Sequence, residues 1–158
     1  MKYHIPQALI QLKVKEASAI SSKEPIDGPE PAVKAIREFL AKQDRECVTA
    51  LFLNAKAKPI NWYMVSEGAL TQTVVDIKQI IKAALLSNAY SMILFHNHSS
   101  SGEPDPSKED NTVTVRLAAA CSIMGIQFMD HLIVGYTDTY SYRKEMPYML
   151  DGKGLDLC

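Results

Sequence analysis

The stretch Ser91-Met-Ile-Leu-Phe-His-Asn-His98, followed beyond a serine- and proline-containing loop by Ser107-Lys-Glu-Asp110, decides how this chain is read. An apolar run of strand character ends in two histidines spaced two apart. On a strand such residues point to the same face and lie about 6.6 Å apart along it, so both imidazoles can reach one ion. Asp110, twelve residues after His98 and at the start of the next helical pattern, can supply a third ligand. Three protein ligands leave tetrahedral zinc an open position for water, which is the catalytic pattern; a structural zinc is closed by four ligands, usually including cysteines. No cysteine lies near these histidines. The tripeptide therefore reads as the metal site of a hydrolase.

Outward from this stretch, the chain has the length of one ordinary domain. Its 158 residues suffice to bury about two thirds of the unfolded surface. A hydrophobic fraction of 47% and a charged fraction of 22% are those of a soluble globular protein. No run approaches the roughly 20 apolar residues a membrane span needs, and the longest, Ile80 to Leu86, is broken by Lys82. The N-terminus has neither an apolar segment nor a cleavage site of secretory type. A cytoplasmic location without a membrane partner is expected. Cys47, Cys121 and Cys158 are far apart and lack CxxC spacing, so neither a disulfide framework nor a zinc knuckle is indicated. With 17 basic and 18 acidic side chains and a formal charge of -1, nothing in the charge balance favours nucleic acid. Oligomeric state has no sequence signal.

The periodicities lay out alternating elements. Leu9 to Ile20 alternates apolar and polar residues, as a half-buried strand or an edge arm does, and residues 1–24 form an N-terminal arm in this reading. Ser21 to Pro31 is a linker; Ala32 to Lys42 carries Val33, Ile36, Phe39 and Leu40 at helical spacing. Glu46 to Leu53 and Ile60 to Val65 read as a hairpin around Asn54 to Pro59. Asp76 caps a helix with Ile77, Ile80, Ile81, Ala84 and Leu85 on one stripe. Ser107 to Met124 is a second amphipathic helix, with Val113, Leu117, Ala120 and Cys121 inward and Gly125 as its stop. Gln127 to Val134 and Thr139 to Tyr142 complete the sheet, and residues 151–158 read as a tail. Strands alternating with helices predict one α/β layered domain, residues 25–150, with a mixed sheet.

Hydrolysis by metal-activated water also needs a proton carrier. Glu46, Glu67, Glu103 and Glu109 are the candidates. Glu46 stands out because it opens a hydrophobic strand, an unusual place for a charge unless it faces a cleft.

The run His96 to Asp110, a following helix, and Gly125-Ile-Gln-Phe-Met-Asp-His-Leu-Ile-Val-Gly135 together resemble the RadC-type branch of the JAB/MPN (JAMM) metalloprotease superfamily, from about Pro25 to Tyr142. The resemblance implies a three-layer α/β/α, cytidine-deaminase-like fold. It implies one zinc ion held by His96, His98 and Asp110, with Glu46 as the catalytic glutamate and Ser107 as the residue that steadies a tetrahedral oxyanion. Related members of that superfamily cleave peptide and isopeptide bonds, so a peptide or protein substrate is expected. Two departures stand out: Ser99 replaces the family's usual proline, and eleven residues separate His98 from Asp110, one more than usual. The helix-hairpin-helix region that precedes this domain in full-length RadC proteins is not found in this sequence.

Plainer readings exist for each feature. Ser107 with Asp110 is also a serine N-cap with an acid three residues on, which needs no metal. A carboxylate can do both, ligating with one oxygen and accepting a backbone bond with the other. His131 after Asp130 reads as a structural histidine near the site, Trp62 and Tyr63 as core, and Lys78, Lys82 and Lys108 as solvated helix faces. The alternative function is a non-catalytic domain of the same fold that binds DNA or a protein partner in repair or mobile-element biology.

Overall fold

In the computed structural model, residues 7–8, 10–15, 20–68, 75–98 and 102–153 are described. Helix α1 (Pro29–Ala41) leads into β1 (Cys47–Leu53) and β2 (Pro59–Glu67); α2 (Ile77–Leu86), β3 (Ser91–Asn97), α3 (Lys108–Met124) and β4 (Gln127–Val134) follow. The chain then forms a short β5 (Thr139–Ser141), a helical turn α4 (Tyr142–Glu145) and a 3-10 turn at Pro147–Leu150. The five strands order as β2-β1-β3-β4-β5. Among the described residues only β3 and β4 run parallel; the other three pairings are antiparallel. Helix α3 is the crossover between the parallel pair, as such a connection requires.

The sheet is covered on both faces, which is why β1 and β3 are buried at every position and read as continuous apolar runs rather than as alternation. Val48, Ala50, Phe52, Met92 and Leu94 pack against α2 and α3, with Ile80, Leu117 and Cys121 among their partners. The alternate residues Leu51, Leu53, Ile93, Phe95, Leu132 and Val134 pack against Ala32, Ile36, Phe39 and Leu40 of α1. This is the α/β/α arrangement expected of a JAB/MPN-type domain. Each such leucine or isoleucine, fully buried, stabilises the fold by about 1.5–3 kcal/mol, so the layers are held firmly enough to fix side chains at the strand ends.

Local signals set the element ends. Asp76 accepts a bond from the Lys78 amide at 3.0 Å and caps α2. Gly125 ends α3 in the left-handed region at φ 68°, where the absence of a Cβ removes the steric cost. Helix α1 begins at Pro29, before the expected Ala32, because prolines suit a first turn whose amides have no partners. Leu85, expected inward, is 48% exposed.

The expected N-terminal strand is not found among residues 10–15 and 20, which join no ladder. Leu12 and Val14 stay well exposed, lining a cleft beside Pro59 to Met64 of β2. Alternation alone could not supply a partner strand. Leu9, Glu16 and the rest of that pattern up to Ala19 lie outside the described residues, as do the first six residues, Ser99 and the tail from Gly154 to Cys158. Cys47 and Cys121 are free and buried. Among the described residues no helix is long and apolar enough to cross a membrane.

Candidate metal centre

Strand β3 and the first turn of α3 carry the three candidate ligands. His96 lies on the α2/α3 side of the sheet, in step with Met92 and Leu94. It is 5% exposed, and Asp110 is 7% exposed. One ligand atom from each of His96, His98 and Asp110 lies within 4.8 Å of the other two. His96 Nδ1 meets Asp110 Oδ1 at 2.9 Å, and His98 Nε2 is 3.5 Å from Oδ2. The two imidazoles meet edge to face, 4.7 Å between centroids.

His98 and Asp110 are held from behind. His98 Nδ1 bonds the Glu103 carbonyl at 3.0 Å; only a protonated nitrogen can donate to a carbonyl, so Nε2 carries the free lone pair in the neutral ring. That is the orientation a metal-ligating histidine adopts. Asp110 Oδ2 accepts from the Ser107 amide at 2.8 Å and from Ser107 Oγ at 2.7 Å, while Ser107 Oγ accepts from the Asp110 amide at 3.1 Å. This is a capping box. One carboxylate oxygen thus serves the helix start, and Oδ1 faces His96. His96 Nε2 is buried without a partner. An orphaned buried nitrogen costs about 1–3 kcal/mol unless something takes its lone pair or proton. That orphan, with two imidazoles and a carboxylate converging, fits a divalent cation of the zinc type, for which N and O donors are suited.

The charges are coupled accordingly. Burial pushes the Asp110 carboxyl upward, but hydrogen bonds from His96 and His98, the nearby imidazole charge and Ser107 outweigh it and hold the group well below the usual carboxylate range. The hydrogen bond with Asp110 raises His98, against a lowering by burial; the Glu103 carbonyl and the Glu46 charge add to the rise.

Glu46 sits half-buried one residue before β1. Its carbonyl accepts from the Gly68 amide at 3.2 Å, so β2 holds it on one side. On the other side, the antiparallel ladder pairs Val48 with His96. Glu46 and His98 lie two residues beyond that rung, at the start of β1 and the end of β3. The through-space effect of Glu46 on His98 agrees with that placement. Of the other carboxylates considered, Glu67 ends β2 in an exposed position, and Glu103 contributes to the centre through its backbone carbonyl. Glu109 is exposed on the first turn of α3.

A sequence profile of the RadC-like JAB domain family matches residues 26–147. This chain belongs to that family. It is 37% identical over 141 residues to a UPF0758 protein of Coprothermobacter proteolyticus, covering 89% of this chain and 59% of the relative. A UPF0758 protein of Streptococcus sanguinis is 33% identical over 141 residues, covering 88% and 61%. One of Symbiobacterium thermophilum is 40% identical over 115 residues, covering 70% and 49%. The chain therefore spans about three fifths or less of the curated relatives it matches.

In this RadC-like JAB domain, the supporting roles of Asn97 and Gly102 had no readable signal in the sequence, while His131 is the structural histidine near the site that the sequence suggested. Asn97, between the histidines, bonds the backbone of β1. Gly102, at φ 71°, places its carbonyl to accept from the Tyr136 amide at 3.0 Å, anchoring the loop that carries Glu103. His131 is buried, and its Nδ1 lies 2.7 Å from Thr114 Oγ1. Because the Thr114 hydroxyl proton is donated to the Asp110 carbonyl at 2.7 Å, His131 Nδ1 must be the donor and its Nε2 a bare lone pair. Burial, with the charges of His96 and His98, pushes His131 down to about 3, so it stays neutral and acts as a structural prop under the first turns of α3.

Proposed function

We propose that this chain is a zinc-dependent hydrolase of amide bonds, of the JAMM peptidase or isopeptidase type, with residues 25–150 as its working unit. His96, His98 and Asp110 would hold the ion, Glu46 would be the general base, and Ser107 would support the oxyanion. The observation that carries this reading is the convergence of the three ligand atoms within 4.8 Å.

Bound zinc supplies Lewis acidity, polarising a carbonyl and lowering the pKa of water to about 7. Glu46 takes a proton from the attacking water as oxygen adds to the carbonyl carbon. It returns that proton to the amide nitrogen as the C–N bond breaks, giving an acid and an amine with no further reactant. Asp110 is unsuited to that task because it would hold the ion while its Oδ2 is kept at the helix start by the Ser107 amide. The Ser107 hydroxyl can rotate toward a developing oxyanion without undoing the cap, since the Ser107 amide still holds Oδ2 at 2.8 Å.

The test compares wild type, His98→Ala and Glu46→Gln for zinc content and for hydrolysis of a panel of fluorogenic peptide and isopeptide substrates. Wild type and Glu46→Gln should each hold one equivalent of zinc, and His98→Ala should lose it. Hydrolysis should fall about 10²–10⁴-fold in Glu46→Gln. Zinc retained in His98→Ala overturns the ligand set, and a fully active Glu46→Gln overturns the base.

A further inference from the structure

The side chain of Asn97 points away from the histidines that flank it, to the α1 side of the sheet. There its Oδ1 accepts from the Cys47 amide at 2.7 Å and from Cys47 Sγ at 3.2 Å, and its Nδ2 donates to the Arg45 carbonyl at 3.2 Å. These are the peptide groups on either side of Glu46. We infer that Asn97 is the positioning residue of the candidate base: its amide grips the chain before and after residue 46 and so sets that carboxylate against His98. The inference rests on the reading of Glu46 as the base and assigns it a holder.

The need for a holder follows from the strand ends. The β1–β3 ladder stops at Val48 and His96. Beyond it β3 stays paired with β4 for one more residue, Asn97 with Val134, before the loop after His98, where the Gly102 amide bonds the His98 carbonyl at 2.8 Å. Without a β3 rung, the segment from Arg45 to Cys47 has β2 on one side, through Gly68 and the Glu46 carbonyl. The Asn97 amide replaces the missing rung. A planar carboxamide offers an acceptor and a donor at one site, as a peptide group does; aspartate lacks the donor and serine the span. Asn97 is 6% exposed and Cys47 1% exposed, so water competes little for these bonds. Burial lifts the Cys47 thiol to about 11, which keeps it a protonated donor to Oδ1.

The experiment uses the full chain, as wild type, Asn97→Ala and Asn97→Asp, by NMR. In metal-free Asn97→Ala, Cys47 amide exchange should accelerate about tenfold or more, and the Glu46 amide order parameter should fall from about 0.85 to below about 0.6. Asn97→Asp keeps the acceptor, so the Cys47 amide should stay protected while Glu46 loosens; this variant decides the matter if Asn97→Ala does not fold. With cobalt(II) as the probe metal, Asn97→Ala should retain the paramagnetic shifts of the ligand histidines and lose that of the Glu46 side-chain carboxyl carbon. A merely structural role would not move that one signal selectively. Wild-type order at Glu46 in both variants overturns the inference, as does an unchanged carboxyl shift. A wild type that takes up no cobalt sinks the metal reading, and the metal-free order parameters then decide the role of Asn97 alone.

Discussion

Replacing Gly102 by alanine should weaken metal binding although Gly102 meets the candidate ligands only through its backbone, its amide bonding the His98 carbonyl at 2.8 Å. Gly102 has φ 71°, a conformation that costs a residue with a Cβ about 1–2 kcal/mol. A Cβ built there would also overlap the Tyr136 ring edge, through Cδ2 and Cε2. Tyr136 is 73% exposed, so its ring can swing aside, and the steric part of the cost can relax; the backbone strain cannot. The chain is therefore expected to move at Gly102, one residue before the carbonyl that holds His98 Nδ1 at 3.0 Å. Losing such an outer partner of a ligating histidine costs about 10–100-fold in metal affinity, or about 1.4–2.7 kcal/mol.

The assay is competitive zinc titration against a chelator, with urea unfolding of the metal-free chain alongside. Gly102→Ala should show a zinc Kd raised about 10–100-fold and a metal-free stability lower by about 1–2 kcal/mol. The double variant Gly102→Ala with Tyr136→Ala separates the two contributions, because it removes the overlap and leaves φ. It should recover little of the lost affinity. An unaltered Kd in Gly102→Ala would refute the idea that this loop fixes His98, and full recovery in the double variant would show that the ring alone mattered.

Two further outcomes follow from the buried polar groups. His131 has a folded-state pKa depressed to about 3, so its contribution is complete above its unfolded value of about 6.5 and is lost as the pH falls toward the folded one. His98 is raised, so its contribution is present below about 6.5 and lost as the pH rises through the folded value. Metal-free stability by urea unfolding should peak near pH 6.5, while zinc, which competes with protons for His98, should shift that peak upward; a monotonic rise from pH 5 to 8 in the metal-free chain would contradict the assigned shifts. Thr114→Val keeps the shape but strands the His131 Nδ1–H, and should cost about 1–3 kcal/mol by the same assay; a change within about 0.5 kcal/mol would refute the tautomer.

What was legible in the sequence is what a single segment encodes. The run before His96 could be assigned to a strand buried on both faces, and period two then put His96 and His98 together. Ser107 with Asp110 gave the helix start, and Gly125 its end. The features that escaped are relations between segments. Asn97 and Cys47 are 50 positions apart, and only the β1–β3 register makes them partners. The Glu103 contribution comes from a carbonyl that every residue possesses, so no side-chain pattern could mark it. The proton on His131 follows from how Thr114 spends its own, which needs three groups in space. The turn from Tyr142 through Leu150 was missed for another reason: it is held by tertiary bonds, such as Arg143 to Asp130 at 2.9 Å, rather than by periodicity. The N-terminal alternation shows the converse, a strand-like pattern without a ladder.

The middle residue of His96-Asn-His98 makes sense through the same alternation that joins the outer two. Turning residue 96 toward the α2/α3 side turns residue 97 toward α1, where it meets Cys47 at the start of β1, beyond the last β1–β3 rung. The antiparallel β1–β3 pairing brings the start of β1 to the end of β3, so the candidate base arrives beside the second histidine. The parallel β3–β4 pairing demands a crossover, and that crossover is α3, whose capped first turn returns Asp110 to the same strand end. The partial positive charge of that helix N-terminus favours a carboxylate there by about 0.3–1 kcal/mol. Two strand directions and one crossover thus bring Glu46, His96, His98 and Asp110 to one end of the central strands. The loop between His98 and Ser107 is itself tied at Gly102, to the His98 carbonyl and the Tyr136 amide, before the helix begins.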